Sequence, residues 1–174
     1  MIPWLTSLPK HWNFVRSKRL FTPRKEKARS NDQQLSVTQA YGVISQREFE
    51  SRVGRKVVRI TQHLEKRAHV EPNDFVISMR SFQGGLERAW ERGCIRSSYV
   101  VLNPTQDIHI GYFSYLFKCQ EYIFALQATA NFIRDGQDLN FSNFCLLSLP
   151  LPPKDEQAQM SRFLDCKIIK IYPE

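Results

Sequence analysis

The stretch CLLSLPLPPKDEQAQMSRFLDCKIIKI, residues 145–171, constrains the fold more than any other. Its apolar first part reads as a strand. Pro150, Pro152 and Pro153 stop that strand, because proline offers no N–H to a ladder and fixes its own backbone. The clearest helix in the chain follows. Asp155 and Glu156 stand in its first turn, where carboxylates favour the positive end of the helix dipole. Met160, Phe163, Leu164, Ile168 and Ile171 recur at helical spacing as one apolar stripe, and Pro173 ends the run. Such a stripe has to be covered, either by the domain before it or by another helix.

Upstream, the segments are short. PWLTSLPKHW reads as an ordered extended arm, with Trp4 and Trp12 packed onto the domain. VRSKRLF suits a short helix with Val15, Leu20 and Phe21 facing inward, and TPRKEKARSND a polar loop. LSVTQAYGVIS alternates and turns near Gly42, as a strand, a turn and a second strand do. REFESR and RITQHLEKR are short helical candidates around a GRKVV strand. EPND is turn chemistry that sets up the strand FVISMR, and SSYVVLNP is its partner, closed by Pro104. From His109 to Thr129, apolar positions 113, 116, 117, 123, 124 and 126 predict one or two buried helices. ATANFIRDGQDLNFSNF then reads as a polar loop returning to the final strand.

Hydrophobic residues make up 42% and charged residues 24%, as in a globular rather than a disordered chain. No apolar run is long enough to span a bilayer, and no secretory signal is evident, so the expected location is the cytoplasm and no membrane contact is expected. Cys94, Cys119, Cys145 and Cys166 contain no C-x-x-C pair and are expected as buried free thiols. His11, His63, His69 and His109 are equally scattered, and no metal site is expected. The net charge is +8. Lys10, Arg16, Lys18, Arg19, Arg24, Lys25, Lys27 and Arg29 form one basic run. Arg47, Arg52, Arg55, Lys56, Arg59, Lys66 and Arg67 form a second. A solvated surface accounts for such runs, but they also project a positive field toward polyanions, nucleic acid first among them.

One connection combines bulk, charge and flexibility: SMRSFQGGLERAWERG, residues 78–93, between the strands FVISMR and SSYVVL. Arg80 has the donors to grip a guanine edge and Gln83 the amide to match an adenine edge, with Ser81 beside them. Arg88 and Arg92 suit phosphates. Phe82 suits either a thymine methyl or the core, Trp90 the core. Gly84 and Gly85 allow close backbone approach to DNA or positive φ. Neighbouring Glu87 and Glu91 can absorb part of this charge locally, a weak effect at an exposed site. Thr38 and Gln39, and Asn131, Arg134 and Gln137, are further polar candidates for DNA contact, each equally consistent with a plain turn.

Three segments resemble one known family. PWLTSLPKHWNFVR, with Leu20 and Phe21 behind it, resembles the start of a target recognition domain in the DNA specificity subunit of type I restriction–modification systems. DFVISMRSFQGGLERAWERGCIRSSYVVL resembles that domain's central strand, loop and strand, and LPLPPKDEQAQMSRFLD its junction with a long spacer helix. Order and spacing agree over essentially the whole chain. The resemblance implies an α/β (α+β) fold: a mixed, curved β-sheet with short helices, then a C-terminal helix. Residues 1–153 would be the DNA-binding domain and 154–172 the start of the spacer or dimerisation helix. It also implies recognition of double-stranded DNA on behalf of methyltransferase and restriction or translocase subunits. S-adenosylmethionine, ATP and magnesium would belong to those partners and no cofactor to this chain. The family's subunit has two such domains joined by two long antiparallel helices, whereas this chain has one domain and the first turns of one helix. It therefore looks like a half-subunit or a truncated one. Two copies pairing through Met160–Ile171 would read an inverted repeat. Pairing with a second half-subunit, or with a full-length specificity subunit in a regulatory role, is the alternative.

Catalysis has little footing. The nearest approach to an amine-methylation motif, Asn103-Pro104-Thr105-Gln106, lacks the second proline and the aromatic. Asp74, Glu87, Glu91 and Asp107 have no recognisable metal-binding spacing. A small metal-dependent nuclease whose carboxylates converge only in three dimensions stays open as the competing class.

Overall fold

The computed structural model describes Leu5 and residues 7–57, 64–129 and 140–171, with side chains as far as residue 168. In chain order the elements are β1 (Asn13–Arg16), β2 (Phe21–Pro23), β3 (Leu35–Thr38), β4 (Gly42–Ser45), α1 (Gln46–Val53), β5 (Ala68–Val70), β6 (Phe75–Ile77), α2 (Ser81–Gly84), β7 (Glu87–Arg88), β8 (Gly93–Ile95), β9 (Val100–Pro104), α3 (Ile110–Leu116), α4 (Gln120–Ala128), α5 (Phe141–Leu146), β10 (Ser148–Leu151) and α6 (Lys154–Ile171). The fold is mixed α+β, as the resemblance implies. Its sheet is broken into antiparallel ladders, β1–β10, β2–β9–β6–β7, β3–β4 and β5–β8. Single bridges at Lys27–Ala68, Gln34–Cys94 and Val43–Ala89 stitch these together, the last two parallel.

β6 is apolar at every position because it is covered on both faces. Phe75 and Ile77 face the larger core, while Val76 faces a smaller one with Val70, Ile95 and Val101. The larger core is aromatic. Phe75 meets Phe117 edge-on at 4.9 Å, and Phe21 meets Phe113 at 5.3 Å, the geometry that ring quadrupoles favour. The helices from α3 to α5 supply its other wall.

Several expectations are corrected. VRSKRLF is not a helix but β1, one 3-10 turn and the start of β2. Val15 pairs with Leu149 across a ladder, and the Ser17 hydroxyl donates toward Phe144 O at 2.5 Å, pinning the turn. Leu20 and Phe21 are nonetheless fully buried. The FVISMR strand ends at Ile77, and the Arg96–Tyr99 segment before β9 is a turn closed by the Tyr99 N–H on Arg96 O. Pro150 does not stop β10 but lies within it, opposite Phe14; among the described residues β10 has a ladder on one side only, so the missing N–H costs nothing. The end of the expected polar loop is α5, started by an Asn140–Asn143 capping box. The expected strand at GRKVV does not form over residues 54–57, which follow the left-handed cap Gly54. Val58 and most of the RITQHLEKR candidate lie outside the described residues, as do Trp4, His63 and Pro173. Phe124 is 60% exposed rather than core. All four cysteines are free, but only Cys94 is buried and Cys166 is exposed.

The C-terminal helix forms over the expected residues. Two polar residues on its domain-facing side, Gln157 and Ser161, are buried, and the Gln157 amide donates to Pro152 O and accepts the His109 N–H, both at 2.9 Å. Trp12 Nε1 and His11 join Glu156 in the first turn, so Trp12 packs onto the domain as expected. Among the described residues, no helix is long and apolar enough to cross a membrane.

Candidate nucleic-acid interface

Register determines which connections leave the four-stranded sheet together. Ile77 faces Val100, and the Arg24 N–H donates to Val101 O. Lys25, the Arg96–Tyr99 turn and the connection from Ser78 to Leu86 therefore emerge at one end.

That connection is one tight helical turn, α2. The Ser78 N–H donates to the Ser81 hydroxyl at 2.9 Å, and Ser81 is fully buried. Phe82 is 3% exposed and belongs to the larger core. Both are therefore committed to the fold rather than offered to a ligand at the surface. Burying them turns Met79, Arg80 and Gln83 outward, all exposed. Neither Arg80 nor Gln83 has a side-chain partner among the described residues. The adjacent glycines serve the protein itself. A Cβ on Gly85, which has φ +73°, would lie 1.8 Å from Phe117 O, and one on Gly84 would strike the Gln39 amide at 2.6 Å.

One of the two further polar segments, Thr38 and Gln39, reaches this turn. Gln39, at the tip of the β3–β4 hairpin, donates to Arg80 O at 3.3 Å. Thr38 is committed to its own turn: its hydroxyl donates to Gly42 O and accepts the Tyr41 N–H, both at 3.0 Å. Asn131, Arg134 and Gln137 lie outside the described residues.

Arg88 and Arg92 do not join this end. Arg88 donates to Asn73 Oδ1 at 2.7 Å and lies over the Trp90 ring, 4.1 Å from its centroid. Burial lowers its pKa, opposed by the charge of Asp165. Trp90 is 53% exposed, not core, held at the surface between Arg88 and Gly42. Both line a cleft of about 1060 Å³ that reaches Tyr41, Tyr115 and Asp165. Arg92 stands 3.8 Å from Asp32 and Glu71.

The expected local pairing does not occur either. Successive strand residues face opposite ways, so Glu87 turns inward to Lys118 at 2.6 Å while Arg88 turns outward. Burial raises the Glu87 pKa, and the Lys118 hydrogen bond works against that rise. Glu91 accepts the Ser45 N–H and the Gln33 amide, both at 2.9 Å.

The first basic run divides in two. Arg24 holds Asp74 with two N–H groups at 2.7 and 3.0 Å and Glu26 with a third at 2.7 Å. Arg29 binds Glu26 and Glu71. Lys25 and Lys27 are exposed with no carboxylate partner among the described residues, and so is Arg96, which the sequence reading missed. Its only signal was its place in a short polar turn between two apolar strands. His69 is fully buried between Asp32 at 2.6 Å and Glu71 at 2.8 Å. No group of three or more acidic, histidine or cysteine residues among those described is arranged to hold a metal ion.

On α6, Met160 and Leu164 are half-buried and line an apolar groove of about 900 Å³ with Tyr112, Leu116 and Cys119. Phe163 and Ile168 are 61% and 44% exposed, so the domain covers only part of the stripe. The side chain of Ile171 is outside the described residues.

Comparison with known proteins bears on the family and the fold. A family model, the type I restriction modification DNA specificity domain, matches residues 9–170. No curated protein matches the chain. Among solved structures, the HsdS subunit from Thermoanaerobacter tengcongensis is similar at 16% identity and TM-score 0.54, over 92% of this chain and 38% of that one. A chain from a type I R-M system studied for its complex assembly and conformational transition is similar at 16% identity and TM-score 0.55, over 95% of this chain and 40% of that one. This chain thus spans about two fifths of either solved relative.

Proposed function

The chain belongs to the family of type I restriction modification DNA specificity domains, and on that premise we propose that it reads sequence in double-stranded DNA through the connection after β6. The observation that carries this reading is the exposure of Arg80 and Gln83, with unused donors, on a turn whose neighbours Ser81 and Phe82 are locked in the core. Arg80 can bond O6 and N7 of a guanine together, and the Gln83 amide can match N6 and N7 of an adenine. Lys25 and Arg96 leave the fold beside them and, with Lys27, supply phosphate contacts, which fix register without reading sequence. The other residues proposed for DNA contact are demoted: Thr38 and Gln39 shape the hairpin and turn, and Arg88 and Arg92 face elsewhere.

In this reading the chain is not itself an enzyme. Methylation, translocation and cleavage belong to methyltransferase and restriction subunits, in the cytoplasm, and those partners bind the S-adenosylmethionine, ATP and magnesium. Residues 1–153 are the recognition domain. Residues 154–172 begin a spacer helix whose exposed Phe163 and Ile168 meet a second helix, from another copy or another half-subunit.

The test is duplex binding by the purified protein. Affinity should fall steeply and linearly on a log–log plot against salt, and selection from a randomised duplex library should return a preferred sequence. A flat salt dependence, or sustained plasmid cleavage by the purified chain with magnesium, would sink this reading.

A further inference from the structure

The reading turn is gripped by side chains from other elements at alternate carbonyls. Gln39, from the β3–β4 hairpin, donates to Arg80 O at 3.3 Å. Gln127, from α4, donates to Phe82 O at 2.5 Å. Lys118, just past α3, donates to Gly84 O at 2.9 Å and also to buried Glu87 at 2.6 Å. An isolated turn of this length is unstable in water, so its shape has to come from such contacts.

Taking Arg80 and Gln83 as base readers, we propose that Lys118 is a specificity-positioning residue of this DNA-binding domain: it fixes the far end of the reading turn without touching DNA. Three features set it apart from an ordinary surface lysine. Its ammonium bonds the turn at Gly84 O and the strand that leaves it at Glu87, so one group spans both. The Glu87 carboxylate is almost wholly buried, and Lys118 is the cation that compensates it. The backbone before it closes on Gly85 so tightly, at Phe117 O, that no side chain fits between them. The turn is therefore held against the end of α3 as a rigid body. Bidentate base contacts need donors positioned to a fraction of an ångström, and preorganisation supplies that.

The same short helix touches the C-terminal helix on its other side. Gly111 abuts Ser161, and the Tyr115 hydroxyl donates to Asp165 at 2.5 Å. Lys118 thus stands at the end of an element that also sets how α6 leaves the domain.

The experiment selects a preferred duplex with the wild-type protein. It then measures, for each variant, the affinity ratio between preferred and shuffled duplexes and the salt slope. Lys118→Met should lower the ratio about tenfold, with the salt slope unchanged because no phosphate contact is lost. Lys118→Arg should recover most of the ratio. The Glu87→Gln/Lys118→Met double variant leaves no buried unpaired charge, so it should fold and still show the lowered ratio. Three outcomes overturn the proposal: an unchanged ratio in Lys118→Met, a salt slope that drops by about one, or a ratio restored in the double variant. A wild-type protein that selects no sequence would instead remove the DNA-reading function, and this inference with it.

Discussion

Arg24, whose side chain holds Asp74 just before β6, and Arg80, just after β6, have opposite fates. Arg24 is only 16% exposed and gives donors to Asp74 and Glu26. The Asp74 hydrogen bond, more than any other contact, raises its pKa above the ordinary arginine value. Arg80 is exposed and has no carboxylate partner among the described residues. The comparison teaches that basic residues counted along a chain do not measure the field offered to a polyanion. Paired carboxylates cancel Arg24 and Arg29 at close range, whereas Lys25 and Lys27, interleaved with them in sequence, keep their charge available.

The largest expected effect comes from breaking the committed side of this comparison. Arg24→Met strands the Asp74 carboxylate, whose side chain is 2% exposed. Removing one partner of a buried pair should cost about 3 kcal/mol in urea unfolding. Protein that remains folded should keep its sequence preference. A loss below about 1 kcal/mol would mean the pair behaves as a surface bridge.

The free side predicts the reverse. Arg80→Ala should change unfolding by no more than about 0.5 kcal/mol, yet reduce discrimination between duplexes by about 1–3 kcal/mol. Lys25→Ala should weaken every duplex alike and lower the salt slope by about one. If both variants shift all duplexes equally, Arg80 is a phosphate contact and the reading turn is misassigned.

How far the sequence foretold this division depends on the range of the deciding interaction. Local patterns were legible. The apolar runs FVI and VVL are indeed neighbouring strands, and the spacing from Met160 to Ile168 gave a helix over the expected residues. The connection after the buried strand β6 exposes Arg80 and Gln83, as a polar run between apolar strands suggests. What the sequence did not reveal was partner choice at long separation. Glu87 was expected to interact locally but finds Lys118, 31 residues away. Trp90, expected in the core, lies at the surface with Arg88 stacked over its ring. The Asn140–Asn143 box that starts α5 was legible in principle but was outweighed by the polarity around it. Gln127 and Lys118 carried no signal at all, since a side chain that grips another segment's carbonyl has no pattern in its own.

Acid should separate the two regions again, with the smallest effect of the set. In the ionic cluster, the His69 hydrogen bond, more than any other contact, lowers the Glu71 pKa, with the charges of Arg92 and Arg29 adding to it. A carboxyl lowered in the folded state contributes stability above its unfolded pKa, about 4.3 for glutamate, and that contribution is lost as pH falls through the lower folded value. At the reading turn, burial moves Glu87 in the other direction, so its contribution is present at low pH and lost as pH rises through the raised value. Lowering the pH below about 4 should therefore reduce amide-exchange protection factors at His69 and Val70 before those at Ser81 to Gly85. Lys118→Met should move Glu87 further up, because the lysine is the group opposing burial there. Protection lost first in the turn would mean that Glu87 is held charged by Lys118 despite its burial, and the contrast between the two regions would then rest on arginine alone.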